Sequence, residues 1–466
     1  MGEEIERIRF TAADFETFQG RLRAETDLLL GLDARRGLCE DGFAIGFEVE
    51  TWLLDHGGYP SPINVAFLEA LADPLVVSEL SRFNVEFNCD PLPMTGNALS
   101  RAEASLTDIW RRCNGVAHGM DANVILIGTL PTLRDADMSL DNLSPMKRYK
   151  ALNREAIRQH GGPLVVDIEG EQRLQTTHRD VMLEGATTSF QVHLKTPARL
   201  AHRYLNASMM VSGPVLAAGV NAPYVFGLDL WRETRIPLFE QAVPLTDHSG
   251  RHGRVTFGAG YAKSSMAELL ACNADDYPAL LPMVFDEPPE AMRHLRMQNG
   301  TIWRWNRPVV GFEPSGRPHY RIEHRILPSG PTMVDMIANA AFYLGLVRAF
   351  VDSGFVLPFA DAHANFYAAA RHGLDARFAW AGREIAAPHL VVELLREARR
   401  GLAAFGVDQA DQDLYLGVVE ARVTSGQTGA AWQRAALARR GGDLQEMMSA
   451  YCESQRSAVP VHQWAP

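Results

Sequence analysis

Apolar and polar positions follow two periods along this chain, and each period predicts a different kind of element. Alternation with a period of two marks residues 43–54, 83–89, 189–195 and 320–327 as strands. The continuous apolar run in residues 123–128 predicts a buried strand, and residues 302–307 and 255–264 are read as further strand regions. A period near 3.6 predicts helices over residues 11–30, with Thr11 as the cap, and over 64–72 and 99–121. Residues 144–160 combine a loop with a basic helix, and residues 197–220 form an apolar helix. From residue 333 onward the pattern is helical: 333–351, 358–371, 389–405, 408–423, and a last helix within 424–466. Glycines and prolines break the pattern at residues 31–42, at His56-Gly57-Gly58-Tyr59-Pro60 and at Asn221-Ala222-Pro223, and residues 269–289 read as a loop.

Strands come before the run of helices, which predicts an α+β protein. Residues 1–332 form the expected catalytic core, and residues 333–466 a helical C-terminal portion packed on it. No low-complexity linker separates them and no internal repeat is visible.

Composition narrows the function classes. A formal charge of −11 argues against a duplex nucleic acid partner. Five scattered cysteines (Cys39, Cys89, Cys113, Cys272, Cys452) lack metal-ligand spacing and suit a reducing, cytoplasmic setting. The acidic N-terminus lacks the basic and apolar regions of a signal peptide, and no apolar run is expected to reach the length of a membrane span. Small-molecule substrates are the expected partners, with a homo-oligomer as an open possibility.

The unusual residues are polar groups on one face of strands. Glu48 and Glu50 flank Val49 in Gly46-Phe47-Glu48-Val49-Glu50; Glu86 lies between Val85 and Phe87. Gln191 and His193 share a face, as do Arg321, Glu323 and Arg325. One such strand is ordinary, and a Glu–Arg alternation alone reads as a cross-strand ion pair. Four of them predict a sheet whose concave face is a polar site.

In order and spacing these segments resemble the glutamate–cysteine ligase and carboxylate–amine ligase family, related to glutamine synthetase. GFEVE is similar to its Gly-x-Glu-x-Glu strand, and VEFNCDPLP to its second acidic strand. SPMKRYKALN, MLEGATTSFQVHL, NAPYVFG with Arg232 and Arg235 after it, and RIEHRILPSGP resemble the segments that follow. His193 stands where some members carry asparagine, and Asn-Ala-Pro replaces Asn-Ser-Pro.

The resemblance implies a curved antiparallel sheet of glutamine synthetase type that holds magnesium and ATP, and an acyl phosphate that an amine attacks to give an amide, possibly γ-glutamyl. It implies Glu48, Glu50, Glu86, Glu323 and Gln191 as metal ligands, and His193 and Arg307 at the nucleotide. Arg325, with Glu50, is the expected catalytic group, because a guanidinium fork suits a transferring phosphoryl group. Arg148, Tyr149 and Arg235 are expected at the acidic substrate. The competing expectations are a phosphagen-type amine kinase and a catalytically silent nucleotide- or metal-binding regulator.

Overall fold

The computed structural model describes residues 4–466. Thr11 caps the first helix, α1 (Ala12–Ala34), and Asp14 returns a hydrogen bond to the Thr11 N–H, closing a capping box. Strand β1 (Ala44–Asp55) is the spine of the sheet. It is followed by α2 (Asn64–Leu71), β2 (Val76–Ser78), β3 (Asn84–Asn88), β4 (Leu92–Pro93), α3 (Ala98–His118), β5 (Ala122–Ile125) and α4 (Lys147–His160). A hairpin, β6 (Leu164–Glu169) and β7 (Arg173–His178), precedes β8 (Ser189–Thr196) and α5 (Ala201–Gly219). The two-residue strands β9 (Tyr224–Val225) and β10 (Leu228–Asp229) lead to α6 (Arg235–Ala242), α7 (Met266–Asp276) and α8 (Arg293–Asn299). Strands β11 (Asn306–Phe312) and β12 (Pro318–Pro328) complete the sheet.

The sheet has eight strands in the order β11-β12-β8-β1-β3-β2, with β4 and β5 also paired to β1. All pairings are antiparallel, and the sheet curls into a half-barrel. Its convex face is apolar: Phe47 stacks on Phe190, and Val49, Val192 and Ile322 are buried beside them. His324 points the same way, stacked at 3.8 Å on Tyr343 of α9 (Met333–Ser353). Helices α5 and α9 therefore fill the back of the sheet, and the alternate residues are left to face a concave cleft.

The C-terminal chain continues as α10 (Phe359–His372), a small hairpin of β13 (Arg377–Trp380) and β14 (Arg383–Ala386), α11 (Ala387–Phe405), α12 (Gln409–Ser425), α13 (Gly429–Arg439) and α14 (Leu444–Arg456). Arg422 on α12 pairs with buried Asp335 on α9 at 2.8 Å. Farther along, Tyr451 donates to the Leu126 carbonyl and Gln455 brackets the Leu126 peptide, donating to its C=O and accepting from its N–H. Asn221 donates to Tyr451 and accepts from Gln433. These polar groups knit α13 and α14 to the ends of β5 and β12.

Several elements differ from the sequence expectation, each for a local reason. Residues 255–264 form no named strand: Gly258 sits at φ +107 and the one bridge there joins Thr256 to Arg304. The first part of the stretch read as a loop from residue 269 belongs to α7 (Met266–Asp276), capped by Ser265, while residues 277–288, where the prolines begin, form the expected loop. The β6–β7 hairpin escaped notice because Val165, though apolar, points outward and masks the alternation of Leu164, Val166 and Ile168. The last stretch is two helices, not one, divided at Gly441-Gly442. Helix α9 is long and apolar enough to span a membrane, contrary to expectation, but 94% of its apolar window is buried as the central helix of the core.

Candidate active site

Strand register assembles the polar face. Glu50 lies directly opposite Glu86 of β3, and Glu48 opposite Gln191 of β8. His193 lies opposite Glu323 of β12, and Glu323 opposite Arg307 of β11. The chain brings these residues together from positions 48 to 323, so only the pairing makes them a site. All of them except His193 line a cleft of about 1330 Å³, solvent mouth included, that also takes in Arg148 and Tyr149 of α4.

Two donor sets occur within it. Glu50, Glu79 and Glu86 each offer an oxygen within 4.8 Å of the others, and so do Glu48, His193 and Glu323 with their oxygen and nitrogen atoms. Glu79 was not anticipated: it follows β2, two residues beyond Val77, the cross-strand partner of Glu86. Glu50 is oriented by the Ser189 N–H at 2.6 Å and the Gln191 amide at 3.0 Å, so Gln191 reaches the ligand set by donating to it. Glu86, 2% exposed, accepts from Asn88 at 3.0 Å.

Electrostatics divides the two sets. Burial raises Glu50 and raises Glu86 strongly, the latter reinforced by Glu48 and Glu79. Glu79 is pushed up to about 8 by burial and then by Glu50 and Glu184. In the second set burial is outweighed: His193 and Arg321 hold Glu48 well below the usual carboxylate range, and Arg307 and Arg325 hold Glu323 at about 2. An all-carboxylate set that protein cations do not neutralise fits a hard divalent cation, which takes oxygen ligands. In the second set Glu323 Oε1 and His193 Nδ1 have no hydrogen-bond partner among the described residues, and His193 Nε2 lies 3.1 Å from Glu48.

Arg325 stands in a register shift of β12 between His324 and Leu327. Such bulges re-aim a side chain and leave carbonyls unpaired. Here Arg235 satisfies them, donating to the carbonyls of Arg325 and Ile326 while its Nε contacts Glu233 at 3.1 Å. Only 2% exposed, Arg235 is thus committed mainly to the backbone that carries Arg325. Arg325 itself is buried, its Nη1 lacks a partner among the described residues, and its Nε is 3.7 Å from Glu323. It lines both the cleft and a smaller inner cavity of about 440 Å³, its open side included, shared with Glu50, Glu79, Glu184, Asn84 and Ser189. Arg148 and Tyr149 face the main cleft, with the Tyr149 hydroxyl donating to the Ser78 carbonyl at 3.2 Å. Arg307 donates to Glu323 and contacts the rim of the cleft.

The raised carboxyls make a prediction about pH. A carboxyl kept protonated by the fold costs nothing below its unfolded value near 4.5 and costs progressively more up to its folded value. Glu79 at about 8 and Glu184 at about 7 therefore destabilise the metal-free protein as pH rises through 4.5–8. Glu323, held at about 2, acts in a separate window, contributing stability that is lost as pH falls below 4.5. The expected result is a melting temperature that falls from pH 6 to pH 8 without metal, and a rise on adding magnesium that is larger at pH 8. Melts in chelator and in magnesium at both values check this; a magnesium effect independent of pH would count against it.

A family model described as glutamate-cysteine ligase family 2 matches residues 44–454. Among solved structures, a glutamate–cysteine ligase from Francisella tularensis in complex with AMP aligns with a TM-score of 0.61, covering 90% of this chain and 89% of its own, at 13% identity. A bifunctional glutathione synthetase from Pasteurella multocida aligns with a TM-score of 0.51 over 92% of this chain, at 12% identity; this chain covers 53% of that protein. At such identities the likeness is one of fold. Among curated proteins, no sequence matches at a significant level.

Proposed function

The chain belongs to glutamate-cysteine ligase family 2, and we propose that it joins a carboxylate to an amine through an acyl phosphate, with ATP and magnesium bound on the concave face of the sheet. Ligase chemistry of the carboxylate–amine class follows from family membership; the roles below are inferred from placement. One observation carries them: two ligand sets, most of whose members are placed by strand register, flank an arginine whose buried Nη1 has no partner among the described residues.

Glu50, Glu79 and Glu86 would hold one ion, and Glu48, His193 and Glu323 a second. This moves His193 from the nucleotide to the metal and makes Gln191 the group that steadies Glu50. When bound, divalent ions supply charge neutralisation for the phosphates and for the phosphoryl group in transfer. The apolar end of the cleft, with Leu270, Phe285, Leu295, Met297 and Trp303, suits the adenine base. Arg307, Arg321, Arg293 and Arg296 lie along the same wall and suit the phosphates.

Arg325, where the cleft meets the inner cavity, receives the charge that develops as the substrate carboxylate attacks the γ-phosphorus and ADP leaves. Arg148 and Tyr149 orient the acid; Arg235 keeps the bulge in place. The amine then attacks the acyl carbon and phosphate departs. In the inner cavity Glu184 Oε2, Asn84 Oδ1 and Ser189 Oγ lack partners among the described residues, and acceptors so placed match the three donors of an ammonium group. Glu184, raised to about 7 by burial and by Glu50 against the pull of Arg325, is positioned to take the proton the amine releases.

The test is a screen of ADP release against amino acids and amines, with and without magnesium, starting from glutamate and cysteine, with products identified by mass. An amide formed only when acid, amine and metal are all present supports the reading. A phosphorylated amine, or bound ATP that no acid–amine pair turns over, defeats it.

A further inference from the structure

Part of the cleft assigned to the nucleotide lies outside the sheet that carries Arg307 and Arg321. It is the segment from Phe285 through α8, which places Phe285, Arg293, Leu295, Arg296 and Met297 at the cleft. The C-terminal end of this segment is held by Gln298 and Asn299, which donate to the carbonyls of Asn273, Tyr277 and Pro308; its Phe285–Leu295 part is tied in by one carboxylate on the first helix of the chain. Glu25 of α1 is 2% exposed and His294 is 0% exposed. Glu25 Oε1 lies 2.5 Å from His294 Nδ1, and Glu25 Oε2 accepts from the Leu295 N–H at 2.8 Å. The other ring nitrogen, His294 Nε2, accepts from the Phe285 N–H at 3.1 Å. The imidazole is held edge-on between Phe18 of α1, at 5.6 Å, and Phe285, at 5.4 Å.

The donor–acceptor accounting leaves one arrangement. Nε2 accepts from a backbone N–H, so the ring proton sits on Nδ1 and points at Glu25. Both oxygens of Glu25 and both nitrogens of His294 are then used: the Leu295 end of the segment is bonded to α1, and the Phe285 end is bonded to the imidazole that Glu25 holds. Arg293, its guanidinium 4.5 Å from the Phe285 ring centroid, rides on the tethered segment, and so does Arg296.

From this geometry we infer that Glu25 is a positioning residue for ATP: through His294 and the Leu295 backbone it sets the wall against which the nucleotide binds. The inference rests on the ligase reading given above. Glutamine at position 25 keeps the size but offers one acceptor where two donors converge. Its amide N–H must then face the Leu295 N–H or the Nδ1 proton, and if the ring shifts its proton to Nε2 the bond from Phe285 is lost instead.

The experiment measures MgATP affinity by calorimetry on the full chain, together with melting temperature. For Glu25→Gln the expected result is a dissociation constant raised about tenfold, the effect of one buried hydrogen bond lost. The exposed Glu16→Gln on the same helix should leave affinity unchanged. A lone Glu25 variant is open to misfolding, so the paired Glu25→Met/His294→Phe variant exchanges both buried polar side chains for apolar ones of similar volume; it leaves the Leu295 and Phe285 N–H groups unpaired but buries no lone carboxylate or imidazole. It should fold and show the same loss. Lowered melting temperature with unchanged MgATP affinity, in either variant, would make the pair purely structural and overturn the inference. Wild-type protein that fails to bind MgATP would defeat the ligase reading itself; wild-type binding matched by the variants defeats only the role of Glu25.

Discussion

Glu86→Gln is expected to make the metal-free protein more stable and the enzyme inactive. Glu86 is buried opposite Glu50, with Glu48 and Glu79 nearby, and these surroundings push its carboxyl strongly toward the protonated form. Glutamine removes that charge, fits the same volume and can still accept from Asn88. At pH 8 the melting temperature without metal should therefore rise, by about 2 °C or more. Turnover of ATP with acid and amine should fall about a thousandfold, because the all-carboxylate ligand set loses one of its three charges. The stabilising effect of magnesium should shrink in parallel. A variant that is both less stable and fully active would remove Glu86 from the site and would refute the account of why its carboxyl is strained.

The second large effect belongs to Arg325. Lysine keeps the charge but gives up the planar fork. Arg325→Lys should lower kcat about a hundredfold while KM for ATP stays within about threefold, because the phosphoryl group needs the fork most during transfer. Arg235→Lys tests the support beneath it. That change withdraws donors from the carbonyls of the bulge, so it should reproduce the kcat loss of Arg325→Lys in milder form. Equal losses in kcat and ATP binding for Arg325→Lys would assign it to nucleotide binding instead.

The sequence shows some parts of this site and hides others for physical reasons. Glu48, Glu50, Glu323 and Arg325 are legible because they sit on strands long enough for a period of two to be counted against apolar neighbours. Glu79 follows a three-residue edge strand, and Glu184 lies in a short 3₁₀ turn; neither element is long enough to have a period. Arg293 and Arg296 sit on a seven-residue helix after a proline-rich loop, and their relation to the cleft depends on a contact with Glu25 far back in sequence. Arg235 was placed near the site from its position after the Asn-Ala-Pro loop, but a one-dimensional pattern does not show that its donors serve main-chain carbonyls. The curved sheet was expected from four alternating strands with polar groups on one face taken together with their resemblance, in order and spacing, to the ligase family. The hairpin of β6 and β7 was not, since one outward-facing valine was enough to hide its rhythm.

Tyr451 and Gln455 complete the back of β5 by binding the Leu126 peptide, which lies more than three hundred positions earlier. A ribosome must therefore release nearly the whole polypeptide before the first acidic strand is fully supported. A premature stop codon after Ser425 would spare every acidic residue of the cleft and Arg325 yet leave Leu126 and Asn221 without those bonds. Such a product is expected to be cleared by proteases rather than to persist as a shorter enzyme.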